Sequence, residues 1–305
     1  MSAPFVEKRP FGGFAVVTLA YVAALLVAAA VLKLAPLDWH PLWKVALADV
    51  AATVVVFAFS FANDNSSVYD PYWSVAPVVI ALWLALGPGG PRELDLRQVV
   101  VVALIVAYGA RLTFNWARGW AGMGHEDWRY VDLRRTTGKA YWLVSFVGLH
   151  FFPTVLVLLG CLPLHAALVS PGPTFGALDL IAALVTLAAI VIETVADEQL
   201  RSFRRSTQAG GAVCAVGLWS WSRHPNYFGE ISFWFGLWLF GVAAGAPWWA
   251  GLGWLAMVAL FVGISIPMAE RRSLARRPTF AAHQRRVSML VPLPPRAAVE
   301  TESAR

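Results

Sequence analysis

The stretch Gly217-Leu-Trp-Ser-Trp-Ser-Arg-His-Pro-Asn-Tyr-Phe-Gly-Glu230 runs directly into an apolar segment, Ile231 to Ala244. Seven of its side chains are polar or ionisable: Ser220, Ser222, Arg223, His224, Asn226, Tyr227 and Glu230. Pro225 stands where a helix would begin, because a first-turn residue does not need its N–H. The segment reads as a membrane helix whose mouth carries a cation, an imidazole, a carboxamide, a phenol and a carboxylate. Polar groups are costly beside hydrocarbon, so such a cluster marks a functional site by default.

The rest of the chain has the composition that this helix demands. Of 305 residues 58% are apolar, 14% are charged and 15 are Trp, whereas a soluble domain averages about 25% charged residues. The fold class expected is all-α, a polytopic membrane helical bundle of about eight transmembrane helices. Runs near the roughly 20 residues that cross a bilayer are Phe11–Leu34, Lys44–Phe61, Tyr72–Leu86, Gln98–Trp116, Tyr141–Leu162, Phe175–Val195, Tyr227–Ala244 and Trp248–Pro267. The first is too long for a signal-peptide core and is expected to be retained. Residues 1–291 read as a single integral-membrane domain, with a cofactor-binding half over about 108–291. The Pro-, Ala- and charge-rich residues 292–305 read as a disordered tail.

The net charge of +6 does not point to nucleic acid, because the basic residues are spread between the apolar runs. Lys8, Arg9, Arg118, Arg129, Arg134, Arg135, Lys139, Arg201, Arg204, Arg205, Arg223 and the run from Arg271 to Arg286 fall on one predicted face. Only Lys33, Lys44, Arg92 and Arg97 fall on the other. The bias predicts that both termini are cytoplasmic. Cys161 and Cys214 fall on opposite sides and lack metal-ligand company, so neither a disulfide nor a metal site is expected.

On this topology the polar clusters all reach the cytoplasmic ends of spans, which predicts one cytoplasm-facing pocket. Tyr108, Arg111, Asn115 and Arg118 follow steps of three, four and three, so they share one helical stripe. Arg118 can snorkel to the interface, but Arg111 lies about two turns deeper and reads as part of an interior polar lining. The segment Gly122–Tyr130, with Glu126, Arg129 and Tyr130, reads as a loop that either anchors at the interface or approaches a ligand. Arg129, Arg134 and Arg135 could pair with phosphates there. Glu193, Asp197, Arg201 and Arg204 share a face leaving the sixth span, and Glu193 sits inside the apolar run. A helix starting at Pro225 attracts phosphate, with Arg223 beside it. No GxGxxG or P-loop is present, so a nucleotide would be held without a Rossmann unit. His150 and His165 read as structural.

SRHPNYFGE (222–230), ADEQL (196–200), EDWRY (126–130) and Pro267-Met-Ala-Glu270 with its Pro-ending tail together resemble the steroid 5-alpha-reductase-like membrane proteins, specifically their bacterial branch. The resemblance covers about residues 60–295. It implies an enzyme of the bacterial inner membrane that binds NADPH from the cytoplasm and reduces a carbon–carbon double bond conjugated to a ketone. Asn226, Tyr227 and Glu230 match the segment that contacts the nicotinamide half, and Asp197 matches an acidic cofactor contact. Tyr108, with Arg111 in a Tyr-x-x-Arg step, matches the tyrosine that polarises the substrate carbonyl. The family's Gln-Glu pair in an early span is absent, and Asp70 is the nearest acidic substitute. Glu193 stands at what looks like an Asn position.

The catalytic set implied is Tyr108, Asp70 and Glu230. The cofactor set is Arg111, Asn115, Arg118, Glu126, Arg129, Tyr130, Arg134, Glu193, Asp197, Arg201, Arg204, Ser222, Arg223, His224, Asn226, Tyr227, Glu230, Glu270 and His283. The substrate expected is a steroid-like, isoprenoid or other lipophilic molecule entering from the bilayer, with membrane lipids as the other partner. Isoprenylcysteine carboxyl methyltransferases, which use S-adenosylmethionine, share RHPxY-like sequence, and Glu270 with His283 resembles the tail that closes their site. A non-catalytic lipid-binding protein is the third expectation.

Overall fold

The computed structural model describes residues 10–170, 172–206 and 211–296. Helices account for most of them, in the order α1 (Pro10–Leu34), α2 (Pro41–Ala62), α3 (Tyr72–Leu86), α4 (Leu96–Gly119), α5 (Trp128–Thr137), α6 (Tyr141–Ser145), α7 (Phe152–Gly160), α8 (Pro163–Leu168), α9 (Ala177–Arg205), α10 (Pro225–Ala243), α11 (Leu252–Leu260), α12 (Ile266–Arg276) and α13 (Phe280–Arg286). Among the described residues, seven helical stretches are long and apolar enough to cross a membrane: 12–34, 41–62, 66–86, 96–119, 128–160, 177–205 and 248–276. The expected span Tyr227–Ala244 forms as α10, which begins at Pro225 and carries Asn226, Tyr227 and Glu230 in its first two turns. This is a polytopic helical membrane protein.

Local chemistry sets the helix ends. At α4 the Asp95 carboxylate accepts the Gln98 N–H at 2.9 Å while Gln98 Oε1 accepts the Asp95 N–H at 2.8 Å, a reciprocal capping box. At α2, His40 Nδ1 accepts the Leu42 N–H and Pro41 fills the first turn. Two near-identical segments, Phe146-Val-Gly-Leu-His150 and Phe261-Val-Gly-Ile-Ser265, both widen into π-helical turns shortly before a proline, Pro153 and Pro267. A proline cannot donate into the helical ladder, so the turn before it loses a hydrogen bond and loosens.

The chain divides into two compact units. The first comprises residues 1–174 and 241–253, and the second 175–240 and 254–305. Inside the first, hydroxyls cluster among the helices. Thr154 Oγ1 lies 2.7 Å from both Thr53 Oγ1 and the Tyr69 hydroxyl, and Thr154 donates to the His150 carbonyl. His150 spans Ser145 O and Ser60 Oγ at 3.0 Å each, a structural role of the kind expected. Inside the second unit, α10 lies tight on α9. A Cβ at Gly236 would collide with the Thr186 hydroxyl, and one at Gly229 would press on Ala189 O and Glu193. Two glycines seven residues apart thus let the helices approach closely, the usual device of membrane helix pairs.

Two expectations need correction. Gly122–Tyr130 is not loop throughout: Asp127 accepts the Arg129 N–H at 2.9 Å and starts α5 at Trp128, and Gly138, at φ +52°, ends it. Nor is the tail free from Pro292 onward. Leu293 N–H donates to Trp221 O at 3.1 Å and Arg296 N–H to Arg286 O at 2.9 Å, so the chain stays attached through residue 296. Residues 297–305, with Lys8 and Arg9, lie outside the described residues. Cys161 and Cys214 are both free thiols.

Candidate functional site

The Gly217–Glu230 motif is held by ADEQL (196–200) from the same unit. Gly217 adopts φ +53°, and a Cβ there would collide with the Gln199 side chain. Gln199 Oε1 in turn accepts the Leu218 N–H at 2.9 Å, and Trp219 Nε1 donates to Ala196 O at 2.9 Å. Glycine is therefore required at the first position by both backbone and space, and the two motifs occur together because one grips the other.

Ser222, Arg223 and His224 bind the C-terminal segment. Ser222 Oγ donates to Leu290 O at 2.7 Å, and Arg223 N–H donates to Ser288 O at 2.8 Å. Arg223 Nε meets Glu270 Oε1 at 2.6 Å, while Nη1 donates to Gln284 O at 3.0 Å and Val287 O at 2.6 Å. Glu270 also takes His224 Nε2 at 3.2 Å and Gln284 Nε2 at 2.7 Å. The ion pair is only 11% and 13% exposed. His283, on α13, is half-buried, and burial with the Arg223 and Arg286 charges nearby lowers its imidazole pKa below the ordinary value. The sequence groups Gln284 with Glu270 and His283 as one polar cluster but gives it no separate role; here it bonds both Arg223 and Glu270.

On α10, Asn226 Oδ1 is buried and has no hydrogen-bond partner among the described residues. The Tyr227 ring lies parallel to the His224 imidazole, with centroids 5.3 Å apart and planes 6° apart, and it also meets the Phe261 ring at 4.8 Å. Glu230, buried, accepts the Trp234 Nε1–H at 2.9 Å. On α9, Glu193 is buried, Asp197 and Arg201 are partly exposed and Arg204 is exposed; Arg201 Nε lies 3.9 Å from Glu198.

The other candidates lie in the first unit, where EDWRY is knitted to the turn before α3. Glu126 Oε1 accepts the Ser66 N–H at 2.8 Å and the Tyr141 hydroxyl at 3.2 Å. The Tyr130 hydroxyl donates to Asp70 Oδ1 at 2.7 Å, and Ser67 Oγ accepts the Asp127 N–H at 3.0 Å. Asn65 donates from Nδ2 to Met123 O and His125 O. Arg134 reaches Asp64 at 2.7 Å and Glu126 at 3.5 Å, with its guanidinium 3.9 Å over the Tyr141 ring. Arg129 pairs with Asp127 at 2.7 Å. Asn65 stands out in the sequence as part of the polar cluster Asn63-Asp64-Asn65, but Ser66 and Tyr141 carry no local signal, since their partners lie 15 to 79 residues away.

Along α4 the stripe grades outward. Tyr108 is fully buried, Arg111 and Asn115 are half-buried, and Arg118 is exposed, its guanidinium over the Phe114 ring at 4.6 Å and 3.4 Å from Asn115 Oδ1. No group of three or more His, Cys, Asp or Glu that could hold a metal occurs among the described residues.

Residues 56–287, which take in both polar clusters, match the family described as "Protein of unknown function (DUF1295)". The chain belongs to DUF1295. That family falls in the steroid 5-alpha-reductase-like group. This DUF1295 protein is also similar to an uncharacterised protein of the fission yeast Schizosaccharomyces pombe, 28% identical over 261 residues, which cover 78% of this chain and 76% of the relative. No solved structure matches it.

Proposed function

We propose that this DUF1295 protein is a membrane-embedded, NADPH-dependent reductase of a carbon–carbon double bond conjugated to a carbonyl. The substrate is a lipophilic, steroid-like or isoprenoid molecule drawn from the bilayer. The reading is carried by the buried carboxamide oxygen of Asn226, which has no hydrogen-bond partner among the described residues. A buried acceptor left so costs about 1–3 kcal/mol, and the carboxamide N–H of a nicotinamide is a donor of matching chemistry. The steroid 5-alpha-reductase-like grouping supports the same cofactor, and the bacterial branch of that group remains part of the proposal.

When bound, NADPH supplies a hydride to the β carbon of the substrate. Asn226, Tyr227 and Asp197 are assigned to the nicotinamide half. Arg118, Arg129, Arg134, Arg201 and Arg204 are assigned to the phosphates, for which guanidinium groups are suited. Arg223 is a different case: Arg129 and Arg134 also meet carboxylates, but in pairs more open to solvent, whereas Arg223 spends Nε and Nη1 on Glu270 and two backbone carbonyls in a buried pair. With Ser222, His224 and Glu270 it positions the C-terminal segment that carries His283. Tyr108 is assigned to donate its O–H to the substrate carbonyl, stabilising the enolate oxygen as the double bond is reduced. The α carbon then takes a proton. Asp70, held by Tyr130, and Glu230, held by Trp234, are the acids assigned to that step. The distribution of Lys and Arg supports cytoplasmic termini and a cofactor site open to the cytoplasm, the protein being set in the inner membrane of a bacterium.

The test is an NADPH fluorescence titration of the detergent-purified protein and its Asn226→Ala variant. The wild type is expected to bind, and the variant about fivefold more weakly, since one hydrogen bond is worth about 1 kcal/mol. A wild type with no affinity for NADPH would refute the reading, and equal affinity would remove Asn226 from it.

A further inference from the structure

Asp49 stands inside an apolar run, Val45-Ala-Leu-Ala-Asp-Val-Ala-Ala52, and none of the roles above uses it. It also precedes the region matched by the family, which begins at Val56. The residue is 6% exposed. Its Oδ1 accepts the Tyr72 hydroxyl at 2.6 Å, and the same hydroxyl lies 3.0 Å from the Asp49 carbonyl. Its Oδ2 is buried and has no hydrogen-bond partner among the described residues. An ionisable group inside a span, with half its carboxyl unsatisfied, is expensive to keep.

Asp49 and Tyr72 line a cavity of about 60 Å³ among α1, α2 and α3, all within the first unit. Tyr21 also lines it, its hydroxyl donating to Tyr69 O at 3.3 Å; the rest of the wall is largely apolar, and Ala24, Ala28, Ala52 and Ala76 open the space by being small. A water in such a cavity needs two to four polar partners. At about 15 Å³ of probe-occupied volume for each water, this one has room for roughly four, and the Asp49–Tyr72 pair cannot satisfy so many. The volume admits a head of a few heavy atoms on a single chain and is too small for a fused ring system. Leu25, on the wall and 42% exposed, marks where a chain would leave the cavity for the surrounding lipid.

We propose that this cavity binds the hydroxyl end of a single-chain lipid alcohol, with a small turn of the Asp49 carboxyl bringing its buried Oδ2 to the cavity as the hydrogen-bond partner while Oδ1 stays on Tyr72. A hydroxyl both donates and accepts, so it satisfies that oxygen whether or not the carboxyl holds a proton. The hydrocarbon chain gains the apolar walls, and the Tyr72 hydroxyl keeps the carboxyl in place. The site is separate from the residues assigned to NADPH and to the carbonyl, and it stands or falls without the reductase reading.

The experiment uses the full-length protein in lipid nanodiscs and a 16-carbon primary alcohol bearing a diazirine near its hydroxyl, with labelled residues mapped by peptide mass spectrometry. Labelling is expected on residues 21–32, 45–52 and 72–83, and it falls at least tenfold in Asp49→Ala. Ala52→Leu, which fills the cavity and leaves the carboxyl alone, should lose labelling as well. On the wild type, excess hexadecanol or a monoacylglycerol should compete, the stronger competitor naming the source, while hexadecane should not. Equal labelling by a probe lacking the hydroxyl, or undiminished labelling of a folded Asp49→Ala protein, overturns the proposal. Because the competition needs no variant, a misfolded Asp49→Ala protein leaves it decisive.

Discussion

Replacing Arg223 by alanine is expected to destabilise the protein by about 3–5 kcal/mol, the usual cost of breaking a buried ion pair from one side. Glu270 would lose its 2.6 Å partner while about 87% buried, and Gln284 O and Val287 O would lose their shared donor. The damage should be local at first. The segment from α13 to Leu293 is tied to the rest of its unit through Ser222 and Arg223, so it should become the earliest site of proteolysis. Arg223→Lys keeps the charge but not the forked donors, and should fall between wild type and alanine. Thermal unfolding and limited proteolysis in detergent measure both effects. An unchanged midpoint with no new cleavage after Arg276 would show that the clamp contributes nothing.

Tyr108→Phe is expected to lower turnover about 10²–10³-fold, the range seen when one oxyanion donor is removed. NADPH affinity should change little, because the assigned contact is to substrate. The ring fills the same buried space in the variant, so the fold should persist. The measurement is NADPH consumption with a panel of lipophilic enones, 4-en-3-one steroids and isoprenoid ketones among them. Loss of kcat at constant NADPH affinity separates a role in the reaction from a structural one. Undiminished turnover would remove Tyr108 from the mechanism.

Much of this fold is legible in the sequence because bilayer-length apolar runs and proline punctuation are local signals. α3 begins and ends where its apolar run does, at Tyr72 and Leu86, and α10 starts at the proline that predicts it. Other helices overrun their apolar cores: α9 continues past Val195 to Arg205, since Arg, Glu and Gln are good helix formers that hydropathy alone discounts. α5 was readable from Asp127 as its N-cap and Gly138 as its C-cap, but the glycines before it masked the signal. The sites are less legible, because what holds them is remote in sequence. Arg223 and Glu270 are 47 residues apart, and Ser66 and Ser145 are 79 apart. A charge beside an apolar helix reads the same whether it awaits a phosphate or already grips a carboxylate. Asp49 carries the clearest local signal of all, an acid within an apolar run, and its meaning emerges only when Tyr72 and the cavity are beside it.

The most direct test of the reductase reading is to purify the full-length protein in mild detergent, extract its bound small molecules and identify them by mass spectrometry, with soaking in NADPH as the second arm. A reductase of this kind should release NADP(H), or take it up on soaking. S-adenosylhomocysteine in the extract, or a protein that holds no nucleotide and binds no NADPH, would contradict it, the first in favour of a methyltransferase and the second in favour of a lipid-binding protein.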